Sequence, residues 1–316
     1  GTGGFLLGAY NHIIQNNPNM DREQKEHLRY HALKGVELVD AVTRLCIMNL
    51  SLHGIGGEKK IPIVTDDSLR SHPGEYYDLI LANPPFGVKS SVKVVTASGE
   101  ITSQKLTIQR EDFWVNTGNK QLMFLQHIIS TLKVGGSAAI VLPDNVLQDG
   151  GPGEQVRLKL LKDCNLHTIL RLPTGIFYAQ GVKAVVIFIK KMEAGPTHHT
   201  KEIWYYDLRI NKNFTPKKKP IAYGHLKEFI TLYNRNDITS REETWSEKND
   251  NGRWRVYPIE KILERKITSL DIRWIKQEGV IDLDNLPPPK EASNNLFNTL
   301  NVLNKLKDNI ENSINL

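Results

Sequence analysis

Asp78-Leu-Ile-Leu-Ala-Asn-Pro-Pro-Phe-Gly87 joins an apolar run to an abrupt stop. Leu79 to Ala82 reads as a buried strand. Two prolines cannot continue a strand ladder, and a residue before proline is pushed away from helix. Asn83 is therefore expected at the end of a strand in a stiff, extended turn, with Phe86 presented just beyond it. In an open parallel sheet that edge is where ligands bind. The Asn83 amide oxygen and the Pro84 carbonyl can both accept hydrogen bonds, so together they can hold an amino group on a planar ring. Phe86 can stack on the face of that ring, and Pro85 stiffens the turn. Gripped this way, the nitrogen directs its lone pair at an electrophile, and the rate gain comes from positioning. The plainer alternative is a proline-rich turn with a packed Phe.

Working back from this turn, three successive strands are expected to end in polar residues: Glu37, Asp67 and Asn83. Gly35 to Val39 is a short strand, and Asp40 is read as the cap of a helix to about Leu52. Ala41, Leu45, Met48 and Leu52 share one face of that helix. Residues 61–67 form the next strand. In a doubly wound sheet such carboxyl ends line one crevice. An acid after the second strand can take both hydroxyls of a ribose, and one after the third can accept from an adenine amino group. Helix capping is the alternative for each. Gly1-Thr-Gly-Gly-Phe-Leu-Leu-Gly8 adds a glycine turn that runs into an apolar segment, which lets backbone approach a ligand.

Working forward, residues 88–115 are polar and irregular, long enough to be functional. Helices are expected over 5–15, 21–34, 119–132 and 154–163. Leu122, Leu125, Ile128, Ile129 and Leu132 face the core, and Gly135-Gly136 break that helix. Strands are expected over 137–143, 167–172 and 182–189, with 203–207 added. The alternation argues α/β. Lys217-Lys-Lys219 can contact phosphates or form a solvated loop. Beyond Pro287-Pro-Pro289, Leu296, Leu300, Leu303, Leu306, Ile310 and Ile314 recur at helical spacing. That terminal helix can fold back or dock on a partner.

The 316 residues carry a net charge of +6, which mildly favours a polyanionic partner. No apolar run approaches the roughly 18 residues of a membrane span, and no signal peptide opens the chain. Cys46 and Cys164 sit among apolar neighbours and suit a reduced, cytoplasmic interior; they form no metal framework.

Together these residues resemble the modification subunit of type I restriction–modification systems, an N6-adenine DNA methyltransferase family. The resemblance runs through Gly1 to Leu6, Gly35 to Leu38, Met48 to Gly54 and Asp78 to Gly87. It continues through Phe124 to His127, Ala138 to Asp144, Arg171 to Phe177, Gly181 to Lys183 and Leu270 to Trp274. It implies a doubly wound, mostly parallel Rossmann-like methyltransferase sheet with a C-terminal extension ending in a helix. Residues 1–207 would be the methyltransferase domain, 208–290 an extension that contacts DNA, and 291–316 a docking helix. It implies S-adenosylmethionine held by Gly1, Thr2, Gly3, Glu37 and Asp67. Catalysis would fall to Asn83, Pro84, Pro85 and Phe86, on an adenine flipped out of double-stranded DNA, without a metal. Asn119 would line the pocket. The implied partners are a specificity subunit of the same system, a second copy of the chain and a restriction subunit. The family's glycine motif starts with an Asp-Pro pair absent here, so the chain is read as a piece of a longer protein that binds cofactor poorly by itself. An RNA or protein-glutamine amino group is the alternative acceptor, and a non-catalytic scaffold the alternative role.

Overall fold

A computed structural model describes residues 1–58, 60–87, 91–95, 101–105, 110–178, 181–209 and 214–275, with Ser293, Phe297 and Leu300 beyond them. The chain divides into two units, Gly1–Arg273 and Trp274–Leu316.

The first unit opens with helices α1 (Gly4–Asn16) and α2 (Arg22–Tyr30), then strand β1 (Gly35–Glu37), helix α3 (Asp40–Leu52) and strands β2 (Ile63–Thr65) and β3 (Tyr77–Ala82). A hairpin of β4 (Ser91–Val95) and β5 (Ile101–Lys105) follows, then α4 (Lys120–Thr131), β6 (Leu132–Pro143), α5 (Pro152–Asp163), β7 (Cys164–Arg171), β8 (Ala184–Lys191) and β9 (Glu202–Asp207). Helix α6 (Lys227–Tyr233), β10 (Trp254–Pro258) and α7 (Ile259–Leu263) complete it.

The main sheet has the order β10-β9-β7-β8-β6-β3. Strands β3 and β6 pair in parallel, as do β7 and β9, while β8 runs against both β6 and β7 and β10 against β9. Strands β3, β6, β7 and β9 therefore all deliver their carboxyl ends to one edge. This is the mostly parallel α/β sheet that the sequence predicts. Strands β1 and β2 pair in parallel as a sheet of their own.

The core follows the apolar runs of β6 to β9. Ile140, Leu142, Leu166, Ile169, Ile187, Ile189 and Tyr205 are buried. A second apolar layer joins Leu170, Tyr206, Phe229 and Trp254, on which Phe86, Phe177 and Phe188 pack. Helix α4 turns Leu122, Leu125, Ile128 and Ile129 inward as its spacing predicts, and Leu132 is buried just past its end.

Three local expectations are corrected. Strand β3 is not buried: Leu79 is 58% and Leu81 37% exposed. Among the described residues it is the outermost strand of its sheet, paired only with β6, so apolarity here marks a strand without marking what covers it. The Gly135-Gly136 pair does not break a helix. Helix α4 has already ended at Thr131, and the glycines form an irregularity inside β6. Gly135 takes φ +82°, and a Cβ on Gly136 would crowd the carbonyls of Lys133, Tyr77 and Asp78. Only glycine lets the two backbones approach so closely. In α3, Asp40 lies inside the helix and pairs with Arg44 at 2.7 Å, while Val39 is the capping position. Thr43, Cys46 and Leu50 form the buried face of α3; Leu45, Met48 and Leu52 share the opposite, exposed one.

The expected long irregular segment 88–115 contains the β4–β5 hairpin, and its remaining unassigned residues lie outside the described set up to Arg110. Lys217 to Lys219 are exposed in a turn closed by the Thr215–Lys219 bridge. Of the expected terminal helix only Ser293, Phe297 and Leu300 are described, each helical; the rest lies outside the described residues.

Candidate functional site

Strand β3 stops at Ala82 because Pro84 and Pro85 follow, and Asn83 is exposed immediately beyond the strand end. Pro84 is buried and Pro85 exposed, so the turn is anchored on one side only. Among the described residues no hydrogen bond engages the Asn83 side chain. Phe86 is half-buried on the core layer, and its ring meets Phe177 edge-to-face, with centroids 5.2 Å apart and planes at 75°. Such a pair fixes the ring plane.

Phe177 belongs to the turn that follows β7. That turn is set by Gly175, whose φ of +81° and position against the Phe214 carbonyl leave no room for a side chain. The sequence reading assigned Phe177 no role. Its signal was an aromatic residue two positions after a glycine, which is common and points nowhere until the structure sets it beside Phe86.

The glycine segment and the first acid come together. The Gly1 nitrogen donates to one oxygen of the Glu37 carboxylate, and the other oxygen accepts from the Val39 amide at 2.9 Å. Asn49 of α3 donates to the Thr2 carbonyl at 2.8 Å. Gly3 takes φ +81° at the head of α1, and a Cβ there would press on Cys46 Sγ at 2.9 Å. The turn is thus packed directly on α3.

Asp67 lies just after β2. One of its oxygens accepts from the Leu69 amide at 2.9 Å, which leaves the other for a ligand, while neighbouring Asp66 pairs with Arg70. This turn is clipped in place by Arg110, which sequence reasoning missed. Its guanidinium donates to both oxygens of Asp112 at 2.9 and 2.6 Å, to the Ser68 carbonyl at 3.2 Å and to His127 Nδ1 at 3.1 Å, and lies over the Phe113 ring at 4.3 Å. Burial alone would raise the Asp112 carboxyl, but Arg110 and Ser130 hold it at about 2. Burial, with Arg110 beside it, holds His127 down to about 4, so it is the neutral acceptor that this geometry needs. Asn119 caps α4 through a bond from the Gln121 amide at 3.0 Å, which occupies its side-chain oxygen.

Glu37 and Asn83 stand on different sheets: β1 pairs with β2, and β3 with β6. Further along the carboxyl edge of the main sheet, Arg171 at the end of β7 forms a buried ion pair with Asp271, which also takes Arg273 at 2.8 Å. Asp207 at the end of β9 receives Arg209 at 2.6 Å. Burial and the nearby Asp271 raise the Asp144 carboxyl at the end of β6.

Comparison with known proteins places the chain in a family. The N-6 DNA Methylase family matches residues 1–266. The chain is 37% identical to the type I restriction enzyme StySJI methylase subunit of Salmonella typhimurium and 36% identical to the EcoKI methylase subunit of Escherichia coli K12, in each case over 97% of this chain and 62% of the relative. It thus spans about three-fifths of the length of these relatives. The crystal structure of the EcoKI M protein superimposes with a TM-score of 0.70 at 35% identity, over 98% of this chain and 67% of that one. The matched span takes in the glycine turn, Glu37, Asp67 and Asn83 to Phe86 alike: the chain belongs to the N-6 DNA methylase family.

Proposed function

We propose that the chain provides the methyl-transfer site of a DNA adenine-N6 methyltransferase, the modification subunit of a type I restriction–modification complex. The observation that carries the reading is the pairing of an exposed Asn83 at the carboxyl end of β3 with a Phe86 ring fixed by Phe177. An adenine inside a duplex has N6 engaged in base pairing, so it must leave the stack to reach such a ledge. Phe86 then carries the base on its face. The Asn83 side-chain oxygen and the Pro84 carbonyl accept the two N6 hydrogens, and the nitrogen lone pair turns toward the donor.

The residues present fit S-adenosylmethionine. Glu37, whose two oxygens already accept from Gly1 and Val39, keeps further lone pairs for a ribose diol, Asp67 keeps one oxygen for an adenine amino group, and Gly1 to Gly3 bring bare backbone alongside. When bound, this cofactor supplies a sulfonium methyl, and transfer forms the N6–C bond as the C–S bond breaks toward sulfur. N6 then sheds one proton to solvent or to a neighbouring acceptor. The partners that suit this role are double-stranded DNA, a specificity subunit that reads its sequence, a second copy of the chain and a restriction subunit.

The test is methyl transfer from tritiated S-adenosylmethionine to duplex DNA by the protein assembled with its specificity subunit, with RNA and protein acceptors in parallel. Asn83→Ala is expected to abolish transfer while calorimetry still shows cofactor binding. Continued DNA methylation by that variant would remove Asn83 from the role, and transfer to RNA or protein alone would change the substrate class. Glu37→Ala is expected to weaken cofactor binding about tenfold or more, the cost of a lost bidentate polar contact.

A further inference from the structure

Phe214 ties a run of lysines to the turn that carries Phe177. It is buried, its carbonyl sits against Gly175, and its ring meets His225 edge-to-face with centroids 5.0 Å apart. Gly175 in turn sets the segment that bears Phe177, the ring beside Phe86. Pro216-Lys-Lys-Lys-Pro220 follows one residue after Phe214. Paired backbone bonds close it into a turn: the Thr215 amide donates to the Lys219 carbonyl at 3.0 Å, and the Lys219 amide donates to the Thr215 carbonyl at 3.2 Å and to Thr215 Oγ1 at 2.9 Å. Ile221, just past the turn, packs on the same apolar layer as Phe86 and Phe177. Both feet of the turn thus stand beside the methyl-transfer site, and a proline at each end restricts its backbone.

The turn is also a concentrated, unopposed charge. Residues 208–227 hold six lysines and arginines and no aspartate or glutamate, in a chain whose whole net charge is +6. The acids that flank this stretch are engaged: Asp207 takes Arg209 at 2.6 Å, and Glu228 accepts from the Tyr206 hydroxyl at 2.8 Å. Lys217, Lys218 and Lys219 are exposed, and none of them has an ion-pair partner among the described residues. Each of the two segments that meet at the Gly175–Phe214 contact also carries an exposed aromatic, Tyr178 at 82% and Tyr223 at 68%. A solvated loop needs neither a fixed backbone nor bare rings. Lysines interleaved with exposed aromatic faces match a nucleic-acid backbone and its bases. Lysine, a point charge without a planar fork, holds a phosphate without reading sequence.

We propose that this turn is the phosphate clamp of the methyl-transfer site, with Lys217, Lys218 and Lys219 gripping DNA backbone phosphates next to the extruded adenine. The inference rests on the DNA-methyltransferase reading and adds to it the place where the strand is held. Extruding a base gives up its stacking and pairing, and backbone contacts beside the gap keep the strand in register while the base is out.

The test is steady-state methylation of duplex DNA, with DNA binding followed across potassium chloride concentrations, by the protein assembled with its specificity subunit. Changing Lys217, Lys218 and Lys219 together to Ala is expected to raise KM for DNA about tenfold or more, with kcat changed less. It should also lower the slope of log affinity against log salt by about two to three, since each phosphate contact contributes about 0.9. Tm and calorimetric cofactor binding should stay as in the parent, because the three side chains are exposed and the turn is closed by its backbone and Thr215. Changing all three to Arg should retain both KM and slope. Changing Lys25, Lys159 and Lys261, exposed on α2, α5 and α7, to Ala removes equal charge elsewhere and should leave KM and slope nearly intact. An unaltered KM and slope in the turn variant, or an equal loss in the distant one, overturns the clamp while the methyltransferase reading stands. Absence of transfer to DNA by the unchanged protein overturns that reading first, and the clamp with it.

Discussion

In the proposed reaction Phe86 serves the core and the base-carrying turn at once. The half-buried residue packs on the layer that holds Leu170, Tyr206 and Trp254, and its edge contact with Phe177 fixes the ring plane. Phe86→Ala should therefore cost about 2 kcal/mol of stability through the lost packing, and also lower kcat/KM for DNA methylation. The two losses separate in Phe86→Tyr, which keeps ring and packing. Near-normal Tm and activity in that variant, beside a low activity in Phe86→Leu of comparable Tm, would show that a flat face and not bulk is what matters. Equal activity in Tyr and Leu variants would confine Phe86 to packing. Gly175 acts on the same ring from a distance. Its backbone takes φ +81° against the Phe214 carbonyl. Gly175→Ala must move that turn, and with it Phe177, so a fall in Tm of several degrees is expected from a cost of about 2 kcal/mol. An unchanged melting curve would show that the turn yields freely.

At the scale of elements, the segment 265–273 is tied to the sheet by charge. Asp271 takes Arg171 from the end of β7 and Arg273 from its own segment, while Arg157 of α5 donates to the carbonyls of Ile267 and Thr268 at 2.6 and 3.1 Å. Buried ion pairs contribute little over apolar substitutes, but removing one partner strands the other. Asp271→Leu should cost about 3–5 kcal/mol in denaturant unfolding, and the double variant with Arg171→Met should recover much of it. A double variant no better than the single would mean that the pair itself, and not the stranded charge, sets the stability. None of this lattice was legible beforehand, because Arg171 and Asp271 are 100 residues apart and each alone reads as a surface charge. What could be read was local. The run Leu79 to Ala82 followed by Asn83-Pro84-Pro85 announces its own strand end, since proline acts on the residue beside it. The five inward residues of residues 119–132 follow from period alone. What failed were statements about neighbours. Apolar Leu79 and Leu81 did not reveal an outermost strand, and Gly135-Gly136 gave no sign that the strand already runs through them. Within the site, Asn83, Phe86 and Glu37 carry a chemical signature in sequence. Arg110 and Phe177 matter only by what they meet, which a sequence does not print.

At the scale of the whole molecule, two half-buried histidines among the described residues respond to acid. His127, beside Arg110, and His167, beside Arg241, are each held at about 4, burial being the larger cause in both. An unfolded histidine titrates near 6.5, as an order-of-magnitude reference. Between these values the unfolded chain binds protons that the folded chain refuses, so stability rises with pH there and is lost as pH falls from about 6.5 toward 4. The two sites together should give a slope approaching about two protons. Asp144 works in the opposite sense, because its raised carboxyl binds a proton more readily folded than unfolded. Carboxylates with lowered values, such as Asp112 at about 2, lose their contribution only below this window. Substitution separates these parts. His127→Gln keeps an acceptor for Arg110, and His167→Asn keeps one for the Thr168 hydroxyl, yet neither can take a proton. Each should remove about one proton from the slope of unfolding free energy against pH between about pH 4.5 and 6, and the double variant should remove both. A slope unaltered by either change would place the acid sensitivity elsewhere. A slope altered by His127→Gln alone would confine the acid sensitivity to His127 and its contact with Arg110.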